Sequence, residues 1–299
     1  MERTLTEHNR YAISVAKVHM GHVAWCTVAL SVAVLLLYVV SFYLVAINVM
    51  PVWLAFIAVC ITTYMAYTPV HEAVHNNING DNTGLQWLND ACGYLCAQLL
   101  IIPYSAHKIE HFTHHRYTNQ PNKDPDYIIS GVMRGGLFAI IAISKFLWNQ
   151  ITYPLHNHWG EMPLSGKLIY TAELSVAVVW RAALFMLLPV SSAMLLVVMA
   201  YVIAVVFTSY WFAYRPHHPY QEVARYKNTS SLIMPRWMKP LEWFWLGQNL
   251  HSIHHAFPRI PFYRYHAVFR IIEPALRAHD APVIGVFNRN PIEITAHTD

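Results

Sequence analysis

Nineteen of the 299 residues are histidine, and eight of them fall in three tight groups. His71-Glu72-Ala73-Val74-His75 comes first, then His111-Phe112-Thr113-His114-His115, then His251-Ser252-Ile253-His254-His255. On a helix, residues three and four apart share one face, roughly 5–6 Å from each other. A His-x-x-His-His group therefore aims three imidazoles at one place, and His-x-x-x-His aims two. Neutral imidazole is the commonest protein ligand for a metal. Eight rings exceed what one four-coordinate zinc can use, whereas two six-coordinate ions would use them well. His217, fixed in the chain by Pro216, is expected as a ninth ligand. His107 and His218 are expected as ligands or as their immediate neighbours. His8, His19, His22, His156, His158, His266, His279 and His297 stand singly and are set aside as surface or interfacial groups.

Four apolar runs must position these groups. Residues 23–47 and 52–70 carry no charged side chain, and residues 168–189 and 190–214 form a second pair broken at Pro189. At 1.5 Å per residue each run can cross a hydrocarbon core of about 30 Å. The first is too long for a signal-peptide core and lacks a small-residue cleavage site, so it is expected to be retained. Neither hairpin loop holds Lys or Arg, and Arg181 is the one basic residue inside a run. By the positive-inside rule both hairpin tips face outward and both termini face the cytoplasm. Every histidine group then lands on one membrane face, although histidine played no part in setting that topology. Residues 85–106 and 135–155 are apolar but interrupted by Asn89, Asp90, Gln98, Lys145, Asn149 and Gln150, and are expected as re-entrant or interfacial helices. The expected fold is an all-α integral membrane protein, one domain over 1–299. It has four transmembrane helices in two hairpins and a cytoplasmic histidine-rich helical cap made from 71–167 and 215–299.

Composition closes off other classes. Apolar residues make up 56% and charged ones 12%, about half the charge of a soluble domain. Thirteen Phe, 18 Tyr and 10 Trp are incompatible with a disordered chain. Cys26, Cys60, Cys92 and Cys96 are too few for a disulfide framework. Twenty basic against 16 acidic residues leaves no electrostatic footprint for nucleic acid.

The first group also matches His-Glu-x-x-His, the zinc-protease helix in which Glu acts as base. At a span end it would suggest an intramembrane metalloprotease. That reading leaves both His-x-x-His-His groups unemployed, and the chain has no Asp-Gly pair to supply a third-ligand motif.

One His-x-x-x-His followed by two His-x-x-His-His groups, in a chain of paired spans, resembles the membrane fatty acid desaturase and hydroxylase superfamily. The flanks agree: His114-His115-Arg116-Tyr117-Thr118-Asn119, Lys123-Asp124-Pro125-Asp126, and His255-Ala256-Phe257-Pro258-Arg259. Arg215-Pro216-His217-His218-Pro219 and Ile260-Pro261-Phe262-Tyr263-Arg264-Tyr265 are similar to bacterial β-carotene hydroxylases within that superfamily. The resemblance implies two non-haem iron ions held by histidine, with O₂ as co-substrate, acting on an unactivated C–H bond of a lipid. The implied ligands are His71, His75, His111, His114, His115, His251, His254 and His255, with His217 as the additional one. It implies desaturation or hydroxylation, with a fatty acyl chain as the first expected substrate and a carotenoid ring as the alternative. No His-Pro-Gly-Gly stretch marks a fused cytochrome b5, so a separate donor, ferredoxin or similar with its reductase, is expected to bring the electrons. The implied setting is a bacterial inner membrane, with no catalytic residue required beyond the metal centre.

Carboxylates near such ligands would orient the rings. Glu72, Glu110, Asp90, Asp124 and Asp126 are the candidates; Asp90 stands out because an unpaired carboxylate in an apolar stretch is costly. Asn249, with Gln248, is placed to hold a metal-bound water or to cap the helix. Glu173 and Arg181 are expected to pair across helices inside the third span. Nine Lys/Arg against three Asp/Glu between 215 and 277, with Trp237, Trp243, Phe244 and Trp245, suggest adhesion to the cytoplasmic leaflet or docking of an acidic electron donor.

Overall fold

The computed structural model describes residues 4–288; His297, set aside above, lies outside them. Helix α1 (Leu5–Val18) opens on Thr4, whose hydroxyl accepts from the Glu7 amide while the Glu7 side chain accepts from the Thr4 amide. Helices α2 (Trp25–Ala46) and α3 (Val52–Val74) form the first hairpin, turned at Asn48 and restarted by Pro51. Helices α4 (Gln86–Leu100), α5 (Tyr104–Tyr117) and α6 (Gly136–Asn157) follow, with a 3₁₀ segment at Pro125–Arg134. The second hairpin is α7 (Leu164–Leu187) and α8 (Val190–Tyr214). Then come strand β1 (Ser231–Ile233), a 3₁₀ segment at Arg236–Trp245, α9 (His251–Ala256), α10 (Tyr265–Ala278) and strand β2 (Val283–Gly285).

Four helices, α2, α3, α7 and α8, are long and apolar enough to cross a membrane. Their outward faces leave large apolar side chains uncovered, among them Met186 at 88% and Val179 at 66% exposure. Patches of that extent are stable against lipid and not against water. Helix α3 is the central member, packed on α2, α4 and α8. It runs four residues beyond the apolar run that ends at Val70 and so carries His71 on its last turn. Helix α8 widens to π geometry at Met194–Met199 and again at Ser209–Tyr214, just before His217. Such widened turns often adjoin functional sites, and nothing in the composition of the run announced them.

The stretch expected as one re-entrant helix over 85–106 is two helices. The break falls at Ile101, which adopts the left-handed conformation (φ 55°) that a β-branched residue rarely accepts. Glu173 and Arg181 hold it. They do not pair with each other as the sequence suggested; both are spent on backbone across the helix interface. Arg181 donates to the Gln98 and Leu99 carbonyls at 2.7 and 3.3 Å, and Glu173 accepts from the Tyr104 amide at 2.6 Å. A cation thus sits at the end of α4 and an anion at the start of α5, as the helix dipoles favour.

The cap packs below the bundle. Its core joins α1, α9 and α10 through Ala12, Ala16, Ile253, Tyr265, Val268 and Ile272. Because α1 packs on α10, the first and last helices lie on one side of the bundle. A short parallel ladder, Ser231↔Val283 to Ile233↔Gly285, closes the cap and is a small addition to the all-α expectation. The segment Arg236–Trp245 exposes Trp237 and Trp243, while Trp245 is buried and the Phe244 carbonyl accepts from Tyr64 of α3 at 2.6 Å. This anchors the cap to the bundle and leaves two indoles facing outward, as an interfacial segment requires.

Candidate metal centre

Each histidine group reaches the centre on a different element. His71 and His75 end α3; His111, His114 and His115 lie on α5; His251, His254 and His255 lie on α9; His217 follows α8 directly. Helix α9 is only six residues long and too short to be stable alone. It is held by Ile253 in the cap core, by Ser252 hydroxyl to Ser231 hydroxyl at 2.6 Å, and by Asn249 beside it.

The rings gather in two sets. His71, His75, His111, His115 and His254 bring one ring nitrogen each within 4.8 Å of one another, and His114, His217 and His255 do the same. In the larger set, His111 Nε2 lies 3.1 Å from the Nε2 of both His75 and His115, and His115 Nε2 lies 2.8 Å from His254 Nε2. In the smaller set, His114 Nε2 is 3.3 Å from His255 Nε2. His251 sits between them, its Nε2 3.2 Å from that of His255.

Three observations test whether these rings suit a metal. The first is protonation. Burial, reinforced by neighbouring rings, pushes His75 and His251 down to about 3, and His111, His115, His217, His254 and His255 well below the usual range. These rings stay neutral and keep a lone pair, as ligation demands.

The second is spacing. At metal–nitrogen distances of about 2.0–2.1 Å, adjacent ligand nitrogens stand roughly 3 Å apart and opposite ones about 4 Å, which is the range seen here. Converging lone pairs at that distance repel unless a cation lies among them. The third is His71. It is fully buried and neither ring nitrogen has a hydrogen-bond partner, an arrangement that costs about 1–3 kcal/mol unless another partner is supplied. The donor set therefore fits two metal ions with nitrogen ligands.

Behind four of the rings, His114, His217, His254 and His255, Nδ1 faces a polar group, which leaves Nε2 pointing inward. His114 Nδ1 lies 2.8 Å from Asp124 Oδ1 and 3.7 Å from Asp126 Oδ2. Burial opposes charge on this ring, yet the two carboxylates outweigh it and push His114 up to about 9. Asp124 is itself fixed by the amides of Asn119 and Asp126 at 2.7 and 2.9 Å. His217 Nδ1 is 3.3 Å from Asn119 Oδ1, and His254 Nδ1 is 3.2 Å from the Tyr265 hydroxyl. Thr118 donates to the His114 carbonyl at 2.9 Å, so its oxygen is open to accept from His255 Nδ1 at 3.5 Å. Asn119, Thr118 and Tyr265 were not singled out in the sequence, although all three lie in the flanking segments quoted for the resemblance.

The remaining candidates divide. Glu110 accepts from Gln150 Nε2 at 2.8 Å and lies 3.2 Å from His107 Nδ1; Gln150 also donates to Asp126 at 3.2 Å. Burial drives Glu110 up to about 7 and His107 down to about 4. His107 thus backs the centre, its ring 5.3 Å from that of His111 and outside both sets. Glu72 lies about 100° round the helix from His71. It accepts from Asn77, which also donates to the Pro258 and Ile260 carbonyls, so it ties the His71–His75 group (box one, with His111–His115 as box two) to the loop after α9 and does not act as a base over His71 and His75.

Asp90 is not beside the rings: it accepts from Gln86 and Asn89 at the α4 surface, and partial exposure relieves the cost anticipated for it. Asn249 likewise turns away, donating to Leu232 O and Glu242 at 3.1 Å each. His218 packs at 5.8 Å on Tyr214 and joins neither set. The histidines set aside as background join no set among the described residues.

A narrow, mostly apolar crevice runs beside the centre, lined by Tyr67, Leu100, Ile102, Phe146, Val205 and Phe212, with Asp126, Gln150, Thr208 and Ser209 as polar lining. The Tyr67 ring stands 5.6 Å from His71 and 5.9 Å from His107, and Asp126, 3.7 Å from His114 Nδ1, lines the same crevice.

Known proteins are similar to this chain in sequence. An omega-3 fatty acid desaturase of the endoplasmic reticulum from Vigna radiata var. radiata is 23% identical over 260 residues, 74% of this chain and 62% of that protein. The enzyme of the same description from Nicotiana tabacum is 22% identical over 259 residues, 73% of this chain and again 62% of the relative. The chain thus spans less than two thirds of the length of these relatives. The family model for fatty acid desaturases matches residues 47–287, from the first hairpin turn to the end of the cap and through all three histidine groups. With that span matched and the groups converged, the chain belongs to the fatty acid desaturase family.

Proposed function

We propose that this chain is an O₂-dependent membrane oxidoreductase with a non-haem di-iron centre, which desaturates or hydroxylates an unactivated position of a fatty acyl lipid. The observation that carries the reading is the convergence of imidazoles, most of them buried, into two sets of ring nitrogens. His71, His75, His111, His115 and His254 would hold one iron, and His114, His217 and His255 the other, with His251 between them. Bound imidazoles carry no charge and leave the ions their full positive charge, and imidazole suits iron. His114, which Asp124 and Asp126 hold protonated, gives up its proton as metal binds. When bound, the irons supply O₂ activation and removal of hydrogen from carbon.

The protein does the rest. Asp124, Asn119, Thr118 and Tyr265 orient rings, and burial excludes water from all but the edges of His115 and His255. The apolar crevice beside Tyr67 suits a hydrocarbon chain approaching from the bilayer side. The named activity of the two relatives favours an acyl chain over a carotenoid ring. Electrons come from a separate acidic donor such as ferredoxin with its reductase. The chain works as one domain, in a bacterial inner membrane, with both termini and the cap in the cytoplasm; the packing of α1 on α10 supports a common side for the two ends.

Metal analysis of purified protein tests the centre: about two irons per chain are expected, and one zinc with no iron would sink it. Expression in a lipid-profiled host and, separately, in a carotenoid-producing host, followed by mass spectrometry, tests the substrate. New acyl double bonds or hydroxyls are expected, and product only in the second host would replace the acyl reading with ring hydroxylation.

A further inference from the structure

The larger ring set is built from two helices that have no covalent reason to stay in register. His71 and His75 end α3, whereas His111 and His115 lie on α5, separated from them by the whole of α4. Yet His75 and His111 hold their Nε2 atoms 3.1 Å apart. A slip of one helix past the other by about 1 Å would change every distance between the two pairs.

One side chain spans the gap. Helix α3 ends inside box one, where the Ala73 carbonyl takes the Asn76 amide of the closing turn at 3.1 Å and accepts side-chain donors besides. The Ala73 carbonyl, between His71 and His75 in the chain, accepts from the Tyr104 hydroxyl at 2.9 Å and from Asn89 Nδ2 at 2.9 Å. Tyr104 is the first residue of α5 and is 2% exposed. Its backbone amide is gripped from the opposite side by Glu173 of α7 at 2.6 Å, which also takes the amide and hydroxyl of Ser105. The ring passes where α4 has Gly93; a Cβ there would lie 2.6 Å from Tyr104 Cε2 and 3.0 Å from the Ala73 Cβ. A glycine, a buried tyrosine and an intramembrane carboxylate thus converge on one carbonyl of box one.

We propose that Tyr104, held from behind by Glu173, is a positioning residue that registers box one against box two and so sets the geometry of the five-ring set. This rests on the reading that the set holds a metal. Tyr201 provides the contrast. It donates to the Leu100 carbonyl at 3.0 Å on the same α4–α5 turn and touches neither box.

The test uses full-length protein loaded with Co(II), whose visible absorption reports ligand geometry, in wild type, Tyr104→Phe, Glu173→Gln and Tyr201→Phe. Tyr104→Phe keeps the ring and loses the 2.9 Å link to Ala73, together with the longer contacts of the hydroxyl to Asn89 at 3.4 Å and Asp90 at 3.5 Å. It should bind Co(II) with a shifted spectrum and release it to EDTA about tenfold faster, while its Tm falls no further than that of Tyr201→Phe. Tyr201→Phe should keep the wild-type spectrum and release rate. Glu173→Gln should shift the spectrum in the same direction as Tyr104→Phe; if it does not fold, Tyr104→Phe carries the test alone. A Tyr104→Phe spectrum and release rate matching wild type would overturn the positioning role and leave the metal reading intact. Wild-type protein that takes up no Co(II) would overturn both.

Discussion

The larger ring set takes His71 with His75 from α3 and His111 with His115 from α5, two pairs four residues apart, and adds only His254 from the cap. The smaller set takes single rings from three places: His114 from α5, His217 from the chain after α8 and His255 from α9. Helix periodicity aims the first set, since residues four apart share a face whatever lies behind them. The second set has no such pairs, and each of its rings has an acceptor at Nδ1: Asp124 for His114, Asn119 for His217, Thr118 for His255. One set is aimed by secondary structure and the other by directed hydrogen bonds. Removing a ring should therefore cost most in the larger set, and removing a supporting group should cost most in the smaller.

The sharpest break compares His254→Ala with His217→Ala. His254 is fully buried and its Nε2 lies 2.8 Å from that of His115, so its loss opens the five-ring set and removes the one ring that the cap contributes to it. Product should fall at least about 100-fold, with metal lost from that set. His217→Ala removes one of three rings and should empty the smaller set while the larger keeps its ion. Iron per chain, measured on both variants, decides: each should keep about half of the wild-type iron, and loss of nearly all of it from either variant would show that the two sets fill as one unit.

Next comes Asp124→Asn, which keeps the shape but removes the charge that holds His114. The carboxylate serves three partners at once, His114 and the amides of Asn119 and Asp126, and Asn119 in turn backs His217. The effect should spread to two of the three rings of the smaller set, for a loss of about 10- to 100-fold in activity. An Asp124→Asn enzyme within about twofold of wild type would mean that the smaller set does not depend on its hydrogen bonds.

Much of this centre was legible in the chain. The His-x-x-His-His spacing names its rings because it is a helical spacing, and both groups sit on helices. Asp124 and Asp126 could be named because they lie within about a dozen residues of His114. Asp90 and Asn249 were named on the same kind of proximity, to an apolar stretch and to a box, and both turn away. For a polar side chain, the choice between ring and backbone partner is made by tertiary packing, as with Asn249 bound to Leu232 and Glu242. The spans were legible from length and charge, but the break at Ile101 was not. Its left-handed conformation is held by Arg181 and Glu173 from a helix about 75 residues later, and no local pattern at 98–105 records them. The same holds for Tyr104, whose role depends on a glycine in one helix and a carbonyl in another.

The smallest expected effect lies in Tyr265→Phe. Tyr265 opens α10, is fully buried in the cap core, and places its hydroxyl 3.2 Å from His254 Nδ1. Removing the hydroxyl keeps the ring and its packing, so stability should change by only about 1 kcal/mol. His254 would lose the partner that fixes its ring orientation, but helix α9 and the crowd of His71, His75 and His115 around it still confine the ring. Activity should fall about three- to tenfold, clearly less than for Asp124→Asn, and iron content should stay near the wild-type value. The ordering of the two variants matters more than either magnitude. If Tyr265→Phe costs as much as Asp124→Asn, the larger set is also aimed by the bonds behind its rings, and helix spacing alone does not account for it.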